Sequence, residues 1–428
     1  CASGCRTTSA AAVIGGRTLI GEAAPAAGHD AARPIVDLVY FNAGGGHRAA
    51  ALALEESIHA QGRPWRLRRI DLFDVLDPTG QFLRVTGFAP EAYYNKRLAH
   101  GWTLGLAQEL KLLQGLIRFG HTRLVARLRQ HWARTEPDMV VSLVPNFNRA
   151  LYDSVASALP GVPCVTVLTD MADHPPAFWI ERPQGQHLVC GTARAVAQAQ
   201  AMGHDPAHVH ATSGMIIRPD FYQPLPLDRR AEMTRLGLDP DRPTGVVMFG
   251  GQGSMSMLAI AQQLADVQLV LMTGHHGVLA AKLRALPSRA PRAVIEFTPE
   301  VRRHLQLGDF FIGKPGPASL SEAVRLGLPV VTTRNAWTMP QERYNADWVR
   351  EHGLGLVAPS TRNIGPAVTE LLAGLDRFKA RVRRIDNRAV FELPPILAQI
   401  LHASGAALAT KAVEDADPIG RPALAINA

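Results

Sequence analysis

The chain twice runs a short, almost wholly apolar segment into a glycine-rich loop and then into a helical pattern. Residues 35–41 lead to Asn42-Ala43-Gly44-Gly45-Gly46-His47, and residues 246–249 lead to Gly250-Gly251-Gln252-Gly253-Ser254. Apolar runs without alternation belong to strands covered on both faces. A strand that turns directly into a helix is half of a parallel crossover. Further runs fall at 139–144, 162–168 and 187–190, and again at 267–272, 294–297, 310–312 and 330–332, with helical stretches between most of them. The pattern predicts an α/β chain of two facing, doubly wound, Rossmann-like domains. It divides into a loosely ordered leader (1–32), a first domain (33–220), a linker (221–243), a second domain (244–386), and a last helix over 387–402 with a tail from 405 to 428. Pro224, Pro226, Pro240 and Pro243 mark the linker. Ligands in such sheets sit beyond the carboxyl ends of the strands, which places the site in the cleft between the domains.

Both glycine loops can bring backbone amides and a helix N-terminus to an anion. His47 stands at the first loop, where an imidazole with an ordinary pKa of about 6.5 suits a general base; a capping or surface histidine fits the same spacing. Ser254 can add a hydroxyl to a diphosphate site, or the second loop is only a tight turn. In Lys314-Pro315-Gly316-Pro317-Ala318-Ser319-Leu320-Ser321-Glu322, Ser319 and Glu322 fit a capping box, and the carboxylate equally suits a ribose diol. Gln341 and Asn345 are four apart, so on a helix they share a face and suit sugar hydroxyls, or form a solvated helix start.

These segments, in this order, resemble the monogalactosyldiacylglycerol synthases and the related N-acetylglucosaminyltransferase that makes the lipid intermediate of peptidoglycan. The resemblance covers roughly residues 35–359. It rests on Gly44-Gly45-Gly46-His47, Thr169-Asp170 with His174 and Trp179, the 250–254 loop, Gly316 to Glu322, and Pro340 to Asn345. It implies the GT-B fold, a UDP-sugar donor, a lipid acceptor such as diacylglycerol, inversion at the anomeric carbon, and neither cofactor nor essential metal. By the same resemblance His47 is the base, with Asp170 lining the acceptor side or orienting the base. Gly45, Gly46, His174 and Trp102 line the acceptor side. Gly250, Gly251, Gly253 and Ser254 hold the diphosphate, Gly316, Ser319 and Glu322 the ribose side, and Gln341, Glu342 and Asn345 the sugar. The chain departs from the family pattern where Pro340 and Gln341 are adjacent without an intervening Gly. It departs again where Arg343 and Tyr344 replace small residues, and where Gly-Pro-Ala-Ser stands for Gly-Pro-Gly-Thr.

Charge bears on the acceptor. Lys and Arg total 45 against 37 Asp and Glu, a net +8 that fits an anionic partner or serves solubility. The surplus clusters at Lys96, Arg97, Lys111, Arg118, Arg123, Arg127, Arg129 and Arg134, with Glu109 the sole acid between Lys96 and Arg134. Leu106, Leu110, Leu113 and Ile117 form a helical stripe, and Tyr93, Tyr94, Trp102, Phe119 and Trp132 are interleaved. A basic amphipathic helix suits an anionic membrane surface, unless the stripe packs inward. No nucleic-acid-binding motif accompanies it, and no 18-residue apolar run indicates a membrane span. Cys164 and Cys190 read as small buried hydrophobes, and the cysteines show no metal-ligand spacing. Cys1 and Cys5 fit a lipoprotein start or a truncated one; a nucleotide-sugar donor favours a cytoplasmic, peripherally membrane-associated enzyme. An epimerase or hydrolase of nucleotide sugars, or a binding protein without turnover, would share the architecture.

Overall fold

The computed structural model describes residues 33–42, 46–79 and 106–416. Gly44, Gly45, Trp102, the 93–97 part of the basic cluster, both N-terminal cysteines and the 1–32 leader lie outside the described residues.

The first sheet holds six parallel strands: β1 (Ile35–Tyr40), β2 (Arg66–Asp71), β3 (Met139–Ser142), β4 (Cys164–Val167), β5 (His187–Cys190) and β6 (Val209–Ala211). The second holds β7 (Thr244–Met248), β8 (Gln268–Gly274), β9 (Arg292–Glu296), β10 (Phe310–Gly313), β11 (Val330–Thr333) and β12 (Gly355–Ala358), also parallel. Their orders are β2-β1-β3-β4-β5-β6 and β12-β11-β10-β7-β8-β9. The winding direction therefore reverses between β1 and β3, and between β7 and β10. A ligand crevice opens at such reversals. The loops after β1 and β7 are the two glycine-rich segments.

The nine expected strands all form, their ends shifted by two residues at most. The three unexpected ones, β2, β6 and β12, are edge strands. An edge needs less apolar cover, so its signal is weaker. β2 reads Arg-Leu-Arg-Arg-Ile-Asp, and its Arg68 clamps the buried Asp37 of β1 with bonds of 2.6 and 2.9 Å.

Helices cover both faces of the first sheet. Val36 and Leu38 pack with Leu54, Ile58, Val390, Leu393 and Leu397 on one side. Val39 and Val140 pack with Leu128, Trp132 and Leu151 on the other. The residues at 390–397 belong to the last helix, Ala389–Ala416, which returns to the first sheet from the far end of the sequence. Ser57 donates to the Val390 carbonyl at 2.7 Å and Gln61 to the Phe391 carbonyl at 2.9 Å. This helix runs past Gly405, into the segment expected as a tail. Alanines at 406, 407, 409 and 412 propagate it past Gly405. The 221–243 linker is likewise not bare coil, since it holds the helix Arg229–Arg235, capped by Asp228.

The basic segment folds as two helices, Leu106–Phe119 and His121–Thr135. Leu110 and Ile117, half of the expected stripe, pack against the protein, and Trp132 is buried. A second face carries the exposed apolar residues: Leu112 (65%), Leu116 (60%) and Phe119 (92%), with Leu113 between the two faces. Cys164 and Cys190 are buried free thiols, and burial pushes both up to about 12.

Candidate active site

His47 is the second residue of the helix Gly46–Ala60, directly beyond β1. Its Nδ1 lies 3.1 Å from Thr169 Oγ1, which follows β4, and its ring centroid is 5.8 Å from that of Trp179. Burial lowers its pKa to about 4, against a hydrogen bond with the Leu143 backbone beyond β3. The side chain is thus held by the ends of three neighbouring strands, and it is neutral at physiological pH. A neutral imidazole is the form that can accept a proton.

Asp170 is buried but makes no bond to His47. Its Oδ2 accepts the Trp179 indole N–H at 2.9 Å, and Trp179 in turn lies against His47. Burial pushes Asp170 up to about 7; the Trp179 bond and Lys314 pull it down, while Glu342 and Asp173 push it up. Glu342 and Lys314 belong to the second-sheet side, so the two carboxyl edges meet here.

The segment carrying Trp179 is organised by Asp173, a residue without a sequence-level role. Its carboxylate accepts the backbone N–H groups of Ala177, Phe178, Trp179 and Ile180 at 2.6 to 3.3 Å. Gln198 closes the knot from the Ala193–Ala201 helix, bonding both backbone groups of Asp173 at 2.9 Å. Burial still raises the Asp173 pKa, these amides opposing it. Asp173→Ala should cost about 3 kcal/mol or more, because several buried donors lose their acceptor together. The thermal denaturation midpoint checks this, and an unchanged midpoint would mean the amides find other partners.

On the second-sheet side, Gly250 and Gly253 have φ of +75° and +63°, a region that favours glycine. Ser254 Oγ bonds Ser256 Oγ at 3.2 Å and lies 3.3 Å from the Ser256 amide, at the mouth of the helix Ser256–Gln263. Gly251 and Gly253 pack on the 273–276 turn, where His275 stacks on the exposed Phe297 at 3.8 Å. Lys314, just past β10, reaches between the loops. A Cβ placed on Gly250 would lie 3.8 Å from its Cε, and one on Gly316 3.5 Å. Its Nζ donates to Glu342 Oε1 at 2.7 Å. The only sequence signal for this cation was a lysine at a strand end beside a glycine loop.

Gly316 is the N-cap of the helix Pro317–Arg325, which corrects the capping box. Pro317 sets the first helical position, so Ser319 is already inside the helix and donates back to the Gly316 carbonyl at 3.2 Å. Glu322 falls a turn later, and burial pushes it up to about 7, with Arg218 and Asp220 as its neighbouring charges. Gln341 sits half-buried in the 3-10 turn Pro340–Glu342. Asn345 is fully buried, and its N–H donates to the Pro315 carbonyl at 2.8 Å. Glu342 and Asn345 therefore both brace the Lys314–Gly316 loop. His174 is half-buried, and its pKa is lowered by burial and by Arg343, Arg334 and Arg194.

No protein-family model matches the chain. It is 25% identical over 382 residues to monogalactosyldiacylglycerol synthase 1 of Arabidopsis thaliana, covering 82% of this chain and 67% of that one. It is 27% identical over 353 residues to a probable monogalactosyldiacylglycerol synthase 2 of Oryza sativa subsp. japonica, covering 78% and 72%. It is 24% identical over 314 residues to the processive diacylglycerol beta-glucosyltransferase of Bacillus subtilis, covering 72% and 75%. The chain spans about two thirds of the length of the first plant relatives it matches. Among solved structures, MurG of Acinetobacter baumannii superposes with a TM-score of 0.54 at 13% identity, covering 86% of this chain and 99% of that one. The glycosyltransferase SnogD of Streptomyces nogalater gives 0.51 at 18% identity, covering 86% and 100%. The chain is a GT-B-fold homologue of the monogalactosyldiacylglycerol synthases and of a bacterial diacylglycerol glucosyltransferase.

Proposed function

We propose that the chain is an inverting glycosyltransferase that moves a hexose from a UDP-sugar to diacylglycerol at a membrane surface. The observation that carries this reading is geometric: His47 stands 3.1 Å from Thr169 at the strand ends of one sheet beside Trp179 and the buried Asp170, and Lys314 with Glu342 at 2.7 Å stands at the strand ends of the other. A base on one side and a cation with a glycine loop on the other suit a single displacement. His47 takes the proton as the acceptor hydroxyl attacks the anomeric carbon, and UDP leaves from the opposite face. Lys314, the 250–254 amides and the Ser256–Gln263 helix N-terminus stabilise the departing diphosphate. Closure of the cleft brings the reactants together. The names of the curated relatives support the lipid acceptor.

The test is to incubate the protein with radiolabelled UDP-galactose, UDP-glucose and UDP-N-acetylglucosamine in turn, with diacylglycerol in anionic vesicles. Label in the lipid extract from one donor supports the reading and identifies the sugar. Free labelled sugar in the aqueous phase, or binding without any product, would sink it in favour of hydrolysis, epimerisation or binding alone.

No helix among the described residues is long and apolar enough to cross a membrane. Contact with the bilayer is assigned instead to Leu112, Leu116 and Phe119, with Lys111, Arg118 and Arg123 exposed around them. Burying one such apolar side chain is worth about 1.5–3 kcal/mol. Leu116→Ser with Phe119→Ser should weaken sedimentation with anionic vesicles at least about tenfold. Unaltered sedimentation would remove this face from the interface.

A further inference from the structure

Where the two carboxyl edges meet, arginines stand in addition to Lys314, the cation already assigned to the donor diphosphate. Arg343 opens the helix Arg343–Glu351 beyond β11. It is half-buried and has no acidic partner among the described residues; its Nε donates to the Thr338 carbonyl at 3.4 Å. Arg194 comes from the other sheet, at the start of the Ala193–Ala201 helix beyond β5. Its guanidinium carbon is 5.9 Å from the Tyr344 ring centroid, so the two helices touch across the cleft at these residues. His174 lies in the same field, its pKa lowered by burial first and then by Arg343, Arg334 and Arg194.

The acids nearby are already engaged. Asp173 accepts four backbone amides. Asp347 pairs with Arg334 and Arg350, each at 3.0 Å. Glu342 holds Lys314, and Glu351 takes the Tyr344 hydroxyl at 3.1 Å. Arg343 remains as a half-buried guanidinium without an acidic partner among the described residues, and the exposed Arg194 stands across from it. A half-buried charge without a partner is costly, whereas a guanidinium fork meets a carboxylate or phosphate with two parallel bonds.

We propose that one of the two substrates carries an oxyanion, either a carboxylate on the transferred sugar or a phosphate on the lipid acceptor, and that Arg343 receives it together with Arg194 and His174. This rests on the UDP-sugar transferase reading above and puts an anionic group in place of either its neutral hexose or its neutral acceptor.

Two arms separate the sources. In the first, UDP-glucuronate is compared with UDP-glucose on diacylglycerol. In the second, phosphatidylglycerol is compared with diacylglycerol as acceptor for the neutral donors, in vesicles of matched surface charge. Wild type, Arg343→Ala and Arg343→Lys are measured in both, after thermal denaturation has shown that the variants fold. The expected result is that wild type favours the anionic substrate at least about tenfold in kcat/KM in one arm. Arg343→Ala then collapses that ratio, and Arg343→Lys restores part of it. A preference in the first arm assigns a sugar carboxylate, and in the second a lipid phosphate. Preference for the neutral substrate in both arms, or a ratio indifferent to Arg343, overturns the inference while leaving the transferase intact. Absence of lipid product in every arm instead defeats the transferase reading. Equilibrium binding of UDP-glucuronate against UDP-glucose, and of the two vesicle types, then decides the inference by itself: equal binding by wild type and Arg343→Ala overturns it.

Discussion

On the proposed mechanism, His47→Ala is expected to lower kcat/KM for sugar transfer by about 10²–10⁴-fold, the usual contribution of a positioned general base, with UDP affinity near that of wild type. His47 and the glycine loop of the second sheet are separate elements, so removing the imidazole would leave the proposed diphosphate seat in place. The pH profile sharpens the test. Burial holds His47 at about 4, so its own protonation does not limit activity near neutrality. Asp170 at about 7 is the group that titrates there. On the proposed mechanism its carboxylate, which accepts the indole N–H of the Trp179 lying against His47, favours the imidazolium that forms as the proton is taken. As pH falls through about 7 Asp170 gains a proton and that support is lost, so kcat/KM should fall on the acid side. In Asp170→Asn the limb near 7 should disappear, leaving a lower, flat profile down to about 4. An unchanged limb in the variant would assign it to another group.

Lys314→Met is expected to lower kcat by about 10²–10³-fold, in the range found for removing one group that stabilises developing charge, with a smaller effect on KM. The reason is timing: on the proposed mechanism negative charge grows on the diphosphate as the glycosidic bond breaks, and the ammonium beside Gly250 would meet it then. The same change strands Glu342, which is 5% exposed and paired with Lys314 at 2.7 Å. Leaving it alone should cost about 1–3 kcal/mol of stability. Adding Glu342→Gln separates the two effects. The double variant should regain the denaturation midpoint and not the turnover. Recovery of both would show that the lysine acts only by holding Glu342.

The central strands were legible because burial on both faces writes them as nearly unbroken apolar runs; Met139 to Val141 and Val246 to Val247 are examples. β2, β6 and β12 escaped because an edge strand answers to one neighbour. The place of His47 at a strand end could be read from the glycine run before it. Its contact with Thr169 could not, because those residues are 122 apart and meet only when β1 and β4 are in one sheet. Asp173 was hidden for another reason. An aspartate ahead of Pro175 and Pro176 signals a turn, but how many amides it gathers depends on how the next residues fold back. Ser319 and Glu322 had the spacing of a cap, and the proline two residues before Ser319 decided against it. Periodicity in 106–117 told which residues share a helical face. It could not tell that Leu110 and Ile117 would find protein while Leu112 and Leu116 would not.

The helix Ala389–Ala416 has a consequence for how the chain is made. On the ribosome, β1 to β6 emerge first, but the side of that sheet lined by Val36, Leu38, Leu54 and Ile58 waits for Val390, Leu393 and Leu397. The entire second sheet must be translated in between, which at ~5–20 residues per second takes on the order of ten seconds or more. Throughout that interval a nascent first half presents an uncovered apolar groove, a natural foothold for a chaperone. A chain released early, before residue 389, would keep that groove open and be marked for aggregation or proteolysis even though every residue of its first sheet is present.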